Sequence, residues 1–156
     1  MTATTATYRL WQRLSTVPLG HRLFSAGMVL RVPYFGTILP TVVALRPGHC
    51  EVRAPKWWGV HNHIRTFHAI AACNLAEIAM GMLAEATVPP THRWIPAGMT
   101  VRYISKAKTS LHAVARLDGI PEFPTEPVDV PVPVSIRDRH GIEVVSATIT
   151  IRVSPV

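Results

Sequence analysis

The stretch that most constrains this chain runs from Asn62 to Val88, NHIRTFHAIAACNLAEIAMGMLAEATV. A polar loop leads into a segment dominated by alanine and long aliphatics, and Pro89-Pro90 bars its continuation. Thr66 is the expected N-cap. A helix that is apolar nearly all round must be buried, so the rest of the chain has to wrap it. Its few polar side chains include Asn74, Glu77 and Glu85. A carboxylate in the middle of such a helix is costly to bury without a partner or a task. At about 100° per residue, Asn74, Glu77, Gly81 and Glu85 share one stripe. That stripe is either where a second helix meets the first or where chemistry is placed.

The remaining chain bounds what can do the wrapping. Its 156 residues make one domain, and 48% hydrophobic against 16% charged residues excludes a disordered chain. The net charge of +7 suits an anionic partner such as nucleic acid, an acidic membrane or a phosphorylated small molecule. Basic residues are scattered singly, which disfavours nucleic acid. Cys50 falls on an expected strand and Cys73 on the helix, so both read as buried thiols and not as a disulfide or metal pair. The N-terminus lacks a basic-then-apolar leader, and the apolar helix carries Glu77 and Glu85. A cytoplasmic protein with no membrane span is expected.

Residues 1–33 read as an N-terminal helical extension, with Tyr8 to Val32 broken at Pro18 and Gly20; residues 34–156 form the main domain. The extension is basic and amphipathic, and is expected to pack over the domain and not on a membrane. Gly36 to Leu45 and His49 to Ala54 read as strands joined by a turn at Arg46-Pro47-Gly48, with Pro40 marking a bulge or edge. Beyond the helix, Met99–Tyr103, Leu111–Leu117, Val128–Arg137 and Val145–Val153 alternate as strands. Pro131 and Pro133, two apart, remove donors from one side of their strand, which cannot be fully paired there. With no repeated βαβ unit, the expectation is an α+β fold: an antiparallel sheet curved around one long helix.

Particular residues carry a family resemblance. The pattern Asn62-His63, His68-Ala69, Asn74-Leu75-Ala76-Glu77, then Arg93-Trp94-Ile95-Pro96, Gly98-Met99, Val101 and Tyr103 resembles an uncharacterised bacterial branch of the hotdog-fold acyl-CoA thioesterases, near the phenylacetate-pathway enzymes. The resemblance spans roughly residues 34 to 153. It implies a curved sheet wrapped on a central helix, and sites at the interface of a homodimer or dimer of dimers. Relatives space Asn and His six apart and follow the His by nine with an acidic residue; Asn62, His68 and Glu77 keep both intervals. By that resemblance Glu77 is the general base or nucleophile. Asn62 positions water or the thioester carbonyl, and the Ala69 N–H beside His68 polarises that carbonyl. Coenzyme A enters as part of the substrate, and no separate cofactor or metal is implied. Where relatives carry Gly-Gly after the His, this chain has Ala69-Ile70, and Ile70 narrows the approach to the backbone. Thr100 stands in for the Ser or Thr that some relatives use to hold water.

The chemistry is coherent without the resemblance. Thioester hydrolysis needs a base and donors aimed at a developing oxyanion, which a helix N-terminus supplies. One such donor lowers the barrier by about 3–4 kcal/mol, and a positioned carboxylate contributes roughly 10²–10⁴-fold. Ala69 and Glu77 are separated by about 12 Å along a helix at ~1.5 Å per residue. One helix therefore cannot present both to one carbon, and an antiparallel second copy is required.

Other readings compete. Glu77 can be a carboxylate paired at a helix seam, and Asn62 a turn residue. His61, His63 and His68 raise a metal site, but without a supporting cysteine pair. Trp57 and Trp58 either line an acyl pocket or cover the core. Arg93, Arg102, Lys106 and Lys108 either hold coenzyme A phosphates or form a solvated edge. A non-catalytic acyl-CoA or lipid-binding hotdog protein is the alternative function; for a hotdog hydratase or dehydratase this sequence lacks an Asp-x(4)-His pair.

Overall fold

The computed structural model describes residues 4–156. Six strands form one antiparallel sheet in the order β1-β2-β4-β5-β6-β3, with β1 Thr41–Arg46, β2 His49–Ala54, β3 His92–Tyr103, β4 Leu111–Arg116, β5 Val128–Asp138 and β6 Glu143–Pro155. The sheet wraps the central helix α3, Ala69–Thr87, as in the hotdog fold. The alternation read from the sequence sets the inner face. Val130, Val132, Val134 and Ile136 of β5, and Val145, Ala147, Ile149, Ile151 and Val153 of β6, are buried with Leu75, Ile78, Ala79 and Leu83 of α3. By length and hydropathy alone α3 would qualify to cross a membrane, contrary to the expectation from its two glutamates; here 67% of it is buried inside the protein, as a core helix is.

Pro131 and Pro133 lie on a strand that is internal in the sheet, yet they break no ladder. Strand β4 pairs only with Val134–Asp138 of β5, so residues 128–133 have no neighbour on that side and the missing donors cost nothing. At the start of the domain the structure departs from the expected strand at Gly36–Leu45. Pro33–Ile38 is a 3-10 helix and Leu39 is left-handed (φ 51°), so the strand begins only after Pro40, and the register shift falls between Val42 and Ala44. Strand β3 is longer than Met99–Tyr103. It starts at His92 and absorbs Pro96 in a bulge, because Pro96 needs no donor where the register shifts between Pro96 and Gly98.

The N-terminal segment forms α1, Ala6–Leu14, and α2, Gly20–Arg31. It packs over the domain: Trp11, Phe24 and Met28 belong to the same buried core as the sheet. The Ser25 hydroxyl donates to the His21 carbonyl (2.7 Å) and accepts from the Val42 N–H (2.9 Å), fixing α2 to β1. Thr5 Oγ1 donates to the Glu85 carbonyl (2.6 Å), tying the start of α1 to the end of α3. The turn between the helices is tight enough to require glycine: a Cβ on Gly20 would lie 1.6 Å from the Leu14 carbonyl oxygen.

On the outer face of the sheet, Glu51 sits between two histidines. His49 Nε2 donates to Oε1 at 2.9 Å, and His112 Nε2 lies 2.9 Å from Oε2. The hydrogen bond from His49 is the main reason the Glu51 carboxyl is held below its ordinary value of 4.5. A depressed folded pKa stabilises the protein above that value and loses its effect as pH falls through the folded pKa. Relative to Glu51→Gln, the wild type is expected to be more stable by about 0.2–1 kcal/mol near neutrality, a range set by the partial exposure of the cluster. The gap should shrink below pH 4.5, as thermal melts of both proteins across pH would show.

Candidate functional site

The loop before α3 sets the geometry of the helix start. Asn62 Oδ1 accepts from the N–H of Ile64 (3.1 Å) and Thr66 (2.9 Å), while Nδ2 donates to Thr66 Oγ1 (2.8 Å). Arg65 takes the left-handed conformation (φ 59°) inside this turn. The Asn62 amide is therefore largely consumed in shaping the loop. Phe67 N–H then donates to the Ala107 carbonyl (2.8 Å) and His68 N–H to that of Val60 (2.7 Å). These bonds hold residues 67 and 68 extended, so the helix starts at Ala69 and its N-cap is His68, not Thr66. His68 Nδ1 accepts from the Ile70 N–H (3.1 Å). Among the described residues the Ala69 N–H has no acceptor, and it points out of a helix start whose dipole favours negative charge.

Lys106 and Lys108 are exposed on either side of buried Ala107, whose carbonyl anchors Phe67. The lysines thus flank the same helix start. Tyr103 Oη lies 3.3 Å from Cys73 Sγ one turn into α3, and this contact raises the Tyr103 pKa. Cys50 is a different thiol, fully buried, and burial pushes its pKa far up, so it is inert.

Glu77 lies about two turns from the start of α3. It is half-buried and lines a cavity of about 450 Å³ between α3, the α1–α2 hairpin and Trp94 and Pro96 of β3. Among the described residues its carboxylate has no hydrogen-bond or ion-pair partner. The expected polar stripe is real but divides its labour. Asn74 is a bracket, its Nδ2 within 3.3 Å of Thr37 Oγ1 and 3.5 Å of the Tyr34 carbonyl, with Oδ1 buried and unpaired. Glu77, Gly81 and Glu85 face the cavity, and Trp94 Nε1 donates to Glu85 Oε1 (3.3 Å). Within one chain, the stripe meets the α1–α2 hairpin and not another copy of α3.

Two expected contributors are not brought to Glu77. Thr100 pairs with Thr148 on the outer face of the sheet, away from α3, because strand alternation puts Met99, Val101 and Tyr103 on the helix side. Arg93 shares that outer face near the start of β3, roughly 33 Å along the strand from Tyr103 at ~3.3 Å per residue, and so is remote from Lys106 and Lys108 within one chain. Arg102 faces out beside Ser146. Trp57 packs against the core, whereas Trp58 is 82% exposed. Among the described residues no three His, Cys, Asp or Glu side chains converge as metal ligands, so His61, His63 and His68 do not form such a set. The residues that sequence reasoning missed are Trp94 and Gly27, which line the cavity; the only hint was Trp94 within the Arg93-Trp94-Ile95-Pro96 pattern.

The chain belongs to the family described as Domain of unknown function (DUF4442), whose model matches residues 20–153 and so includes α2. The comparison with curated proteins returns no match. Among solved structures, a structural-genomics crystal structure is 41% identical, with a TM-score of 0.85 over 96% of this chain and 99% of that one. A Pseudomonas aeruginosa protein described as of unknown function and a probable thioesterase is 24% identical (TM-score 0.74, 90% of this chain, 97% of that one). A thioesterase from Haemophilus influenzae is 12% identical (TM-score 0.70, 90% and 92%). The fold is that of the hotdog thioesterase-like proteins.

Because His68 satisfies a free N–H at the start of the helix that fills the core, His68→Ala should destabilise the fold by about 1 kcal/mol. Chemical denaturation at neutral pH measures this directly.

Proposed function

We propose that this protein is a thioesterase that hydrolyses acyl-CoA thioesters, with Glu77 as the base. The observation that carries the reading is the Glu77 carboxylate, without an intrachain partner, facing an apolar cavity on a hotdog scaffold. The thioesterase descriptions of its structural neighbours point the same way. Glu77 takes a proton from water, the resulting hydroxide attacks the thioester carbon, and the C–S bond breaks as the tetrahedral oxyanion collapses. The proton held by Glu77 then goes to the departing thiolate. The oxyanion needs a donor, and the free N–H of Ala69 is suited to it.

Ala69 and Glu77 of one chain are about 12 Å apart along α3, so the donor comes from a second copy. The sheet offers a place for that copy. Strand β3 is a free edge of twelve residues, with Ile95, Met99 and Tyr103 exposed along it. Trp94 and Pro96 of this strand line the Glu77 cavity, so a copy docked on β3 lies against the site. Antiparallel docking there would also bring Arg93 of one copy toward Lys106 and Lys108 of the other, a basic rim for the phosphates of coenzyme A. The two free thiols suit a cytoplasmic setting.

A second reading, acyl-CoA or lipid binding without hydrolysis, is favoured by Ile70, 56% exposed where glycine would open the backbone, and by the engaged Asn62 amide. Turnover of acyl-CoA substrates followed by release of free thiol separates the two. Glu77→Gln is expected to lower kcat by roughly 10²-fold or more. Unchanged turnover in that variant would remove Glu77 from the mechanism, and saturable binding with no hydrolysis by the wild type would select the second reading. Light scattering should give a mass at least twice the 17.2 kDa chain.

A further inference from the structure

We propose that the α1–α2 hairpin is the chain-length selector of the site: it closes the cavity into a slot for an unbranched acyl chain of about eight to ten carbons, with Gly27 at its lip and Trp94 as its floor. This rests on Glu77 acting at the thioester; the assignment of the slot to an alkyl chain stands apart from that.

The length follows from the helix. Glu77, Gly81 and Glu85 succeed one another at intervals of four on the cavity side of α3. The distance from Glu77 to Glu85 is about 12 Å at ~1.5 Å per residue. An extended hydrocarbon with ~1.52 Å bonds at ~111° advances about 1.25 Å per carbon, so that distance holds about ten. The two ends are fixed independently. Near Glu77, Asn74 is bracketed to Tyr34 and Thr37. Near Glu85, Thr5 Oγ1 binds the Glu85 carbonyl and Trp94 Nε1 binds its carboxylate.

The lining has the chemistry of an alkyl site. Leu10, Phe24, Met28, Phe35 and Met80 face the cavity, and its titratable groups are Glu77, Glu85 and Arg31. The hydrogen bond to Glu85 holds the Trp94 indole so that its far edge rests on α3 at Gly81: a Cβ there would lie 3.3 Å from Trp94 Cη2. Gly81 thereby lets the edge of the ring approach the helix closely as a floor. Across the cavity a Cβ at Gly27 would meet nothing within 4 Å, so a side chain can be added at this lining position without displacing its neighbours. A free alkyl slot of this volume lies within the usual range for small-ligand cavities, roughly 300–1,000 Å³.

The test uses the full chain with straight-chain acyl-CoA substrates from butyryl to hexadecanoyl, together with calorimetric titration of 1-decanol as an uncharged alkyl probe. The wild type should show its highest kcat/KM at octanoyl to decanoyl. Gly27→Leu should lower decanoyl kcat/KM relative to butyryl kcat/KM roughly tenfold or more, given about fourfold per excluded methylene. Trp94→Ala should move the optimum to longer chains. A thermal melt and circular dichroism confirm that each variant is folded. An unchanged chain-length profile in both folded variants overturns the proposal while leaving the hydrolase reading intact. If the wild type hydrolyses no thioester, decanol binding that weakens about tenfold in Gly27→Leu supports the slot, and the hydrolase reading alone fails. Decanol binding that is absent, or equal in wild type and Gly27→Leu, overturns the slot.

Discussion

Burial of α3 inside the curved sheet is the constraint on which everything else depends. A helix with Leu75, Ala76, Ile78, Ala79, Met80 and Leu83 fully removed from solvent has no stable place except inside another layer. The alternating inner faces of β5 and β6 supply most of that layer. The β4–β5 ladder ends before Pro133, and the sheet is irregular where the register shifts at Val42 and Pro96. Each buried Leu, Ile or Met side chain of α3 brings roughly 1.5–3 kcal/mol of apolar burial, so the helix position is over-determined and its ends are held to fixed places. A rigid helix end is what an oxyanion donor requires, since its usefulness depends on not having to reorganise.

The same helix presents one side that the sheet leaves uncovered. There the α1–α2 hairpin takes over, and the polar stripe lies under it. Nature of the cover decides the fate of each polar group: Asn74 is spent holding the Pro33–Ile38 turn, Glu85 is spent orienting Trp94, and Glu77 is left unpartnered. A buried carboxylate with no partner is costly, and half-exposure to a cavity reduces the cost while keeping the group available for a ligand.

Much of this was legible in the sequence. The apolar segment bounded by Pro89-Pro90 and the period-2 runs of Val128–Arg137 and Val145–Val153 point to a helix wrapped by an antiparallel sheet, and the spacing of Asn62, His68 and Glu77 carries the family resemblance. Less legible were the boundaries, because they are set by distant partners. Thr66 is a good cap in isolation, but Ala107 and Val60 bind the next two N–H groups and shift the start to Ala69. Thr100 looked available for water until the pairing of β3 with β6 placed it on the opposite face, since a strand position is inward or outward only relative to its neighbour. Residues 1–33 read as a helical segment packed over the domain, but no local signal reveals that Ser25 will bond to β1 or that Trp11 will enter the core.

What the sequence by itself determined is therefore the class of architecture and the presence of one carboxylate that needs a reason. Periodicity encodes these directly, since a residue's face follows from counting along its own element. What only the tertiary structure decided is which groups share a space. The meeting of Glu77 with Gly27 and Trp94, of Lys106 and Lys108 with the start of α3, and the absence of Thr100 from the site all depend on how separate elements dock. That docking is governed by long-range packing and register, which no local pattern along the chain records.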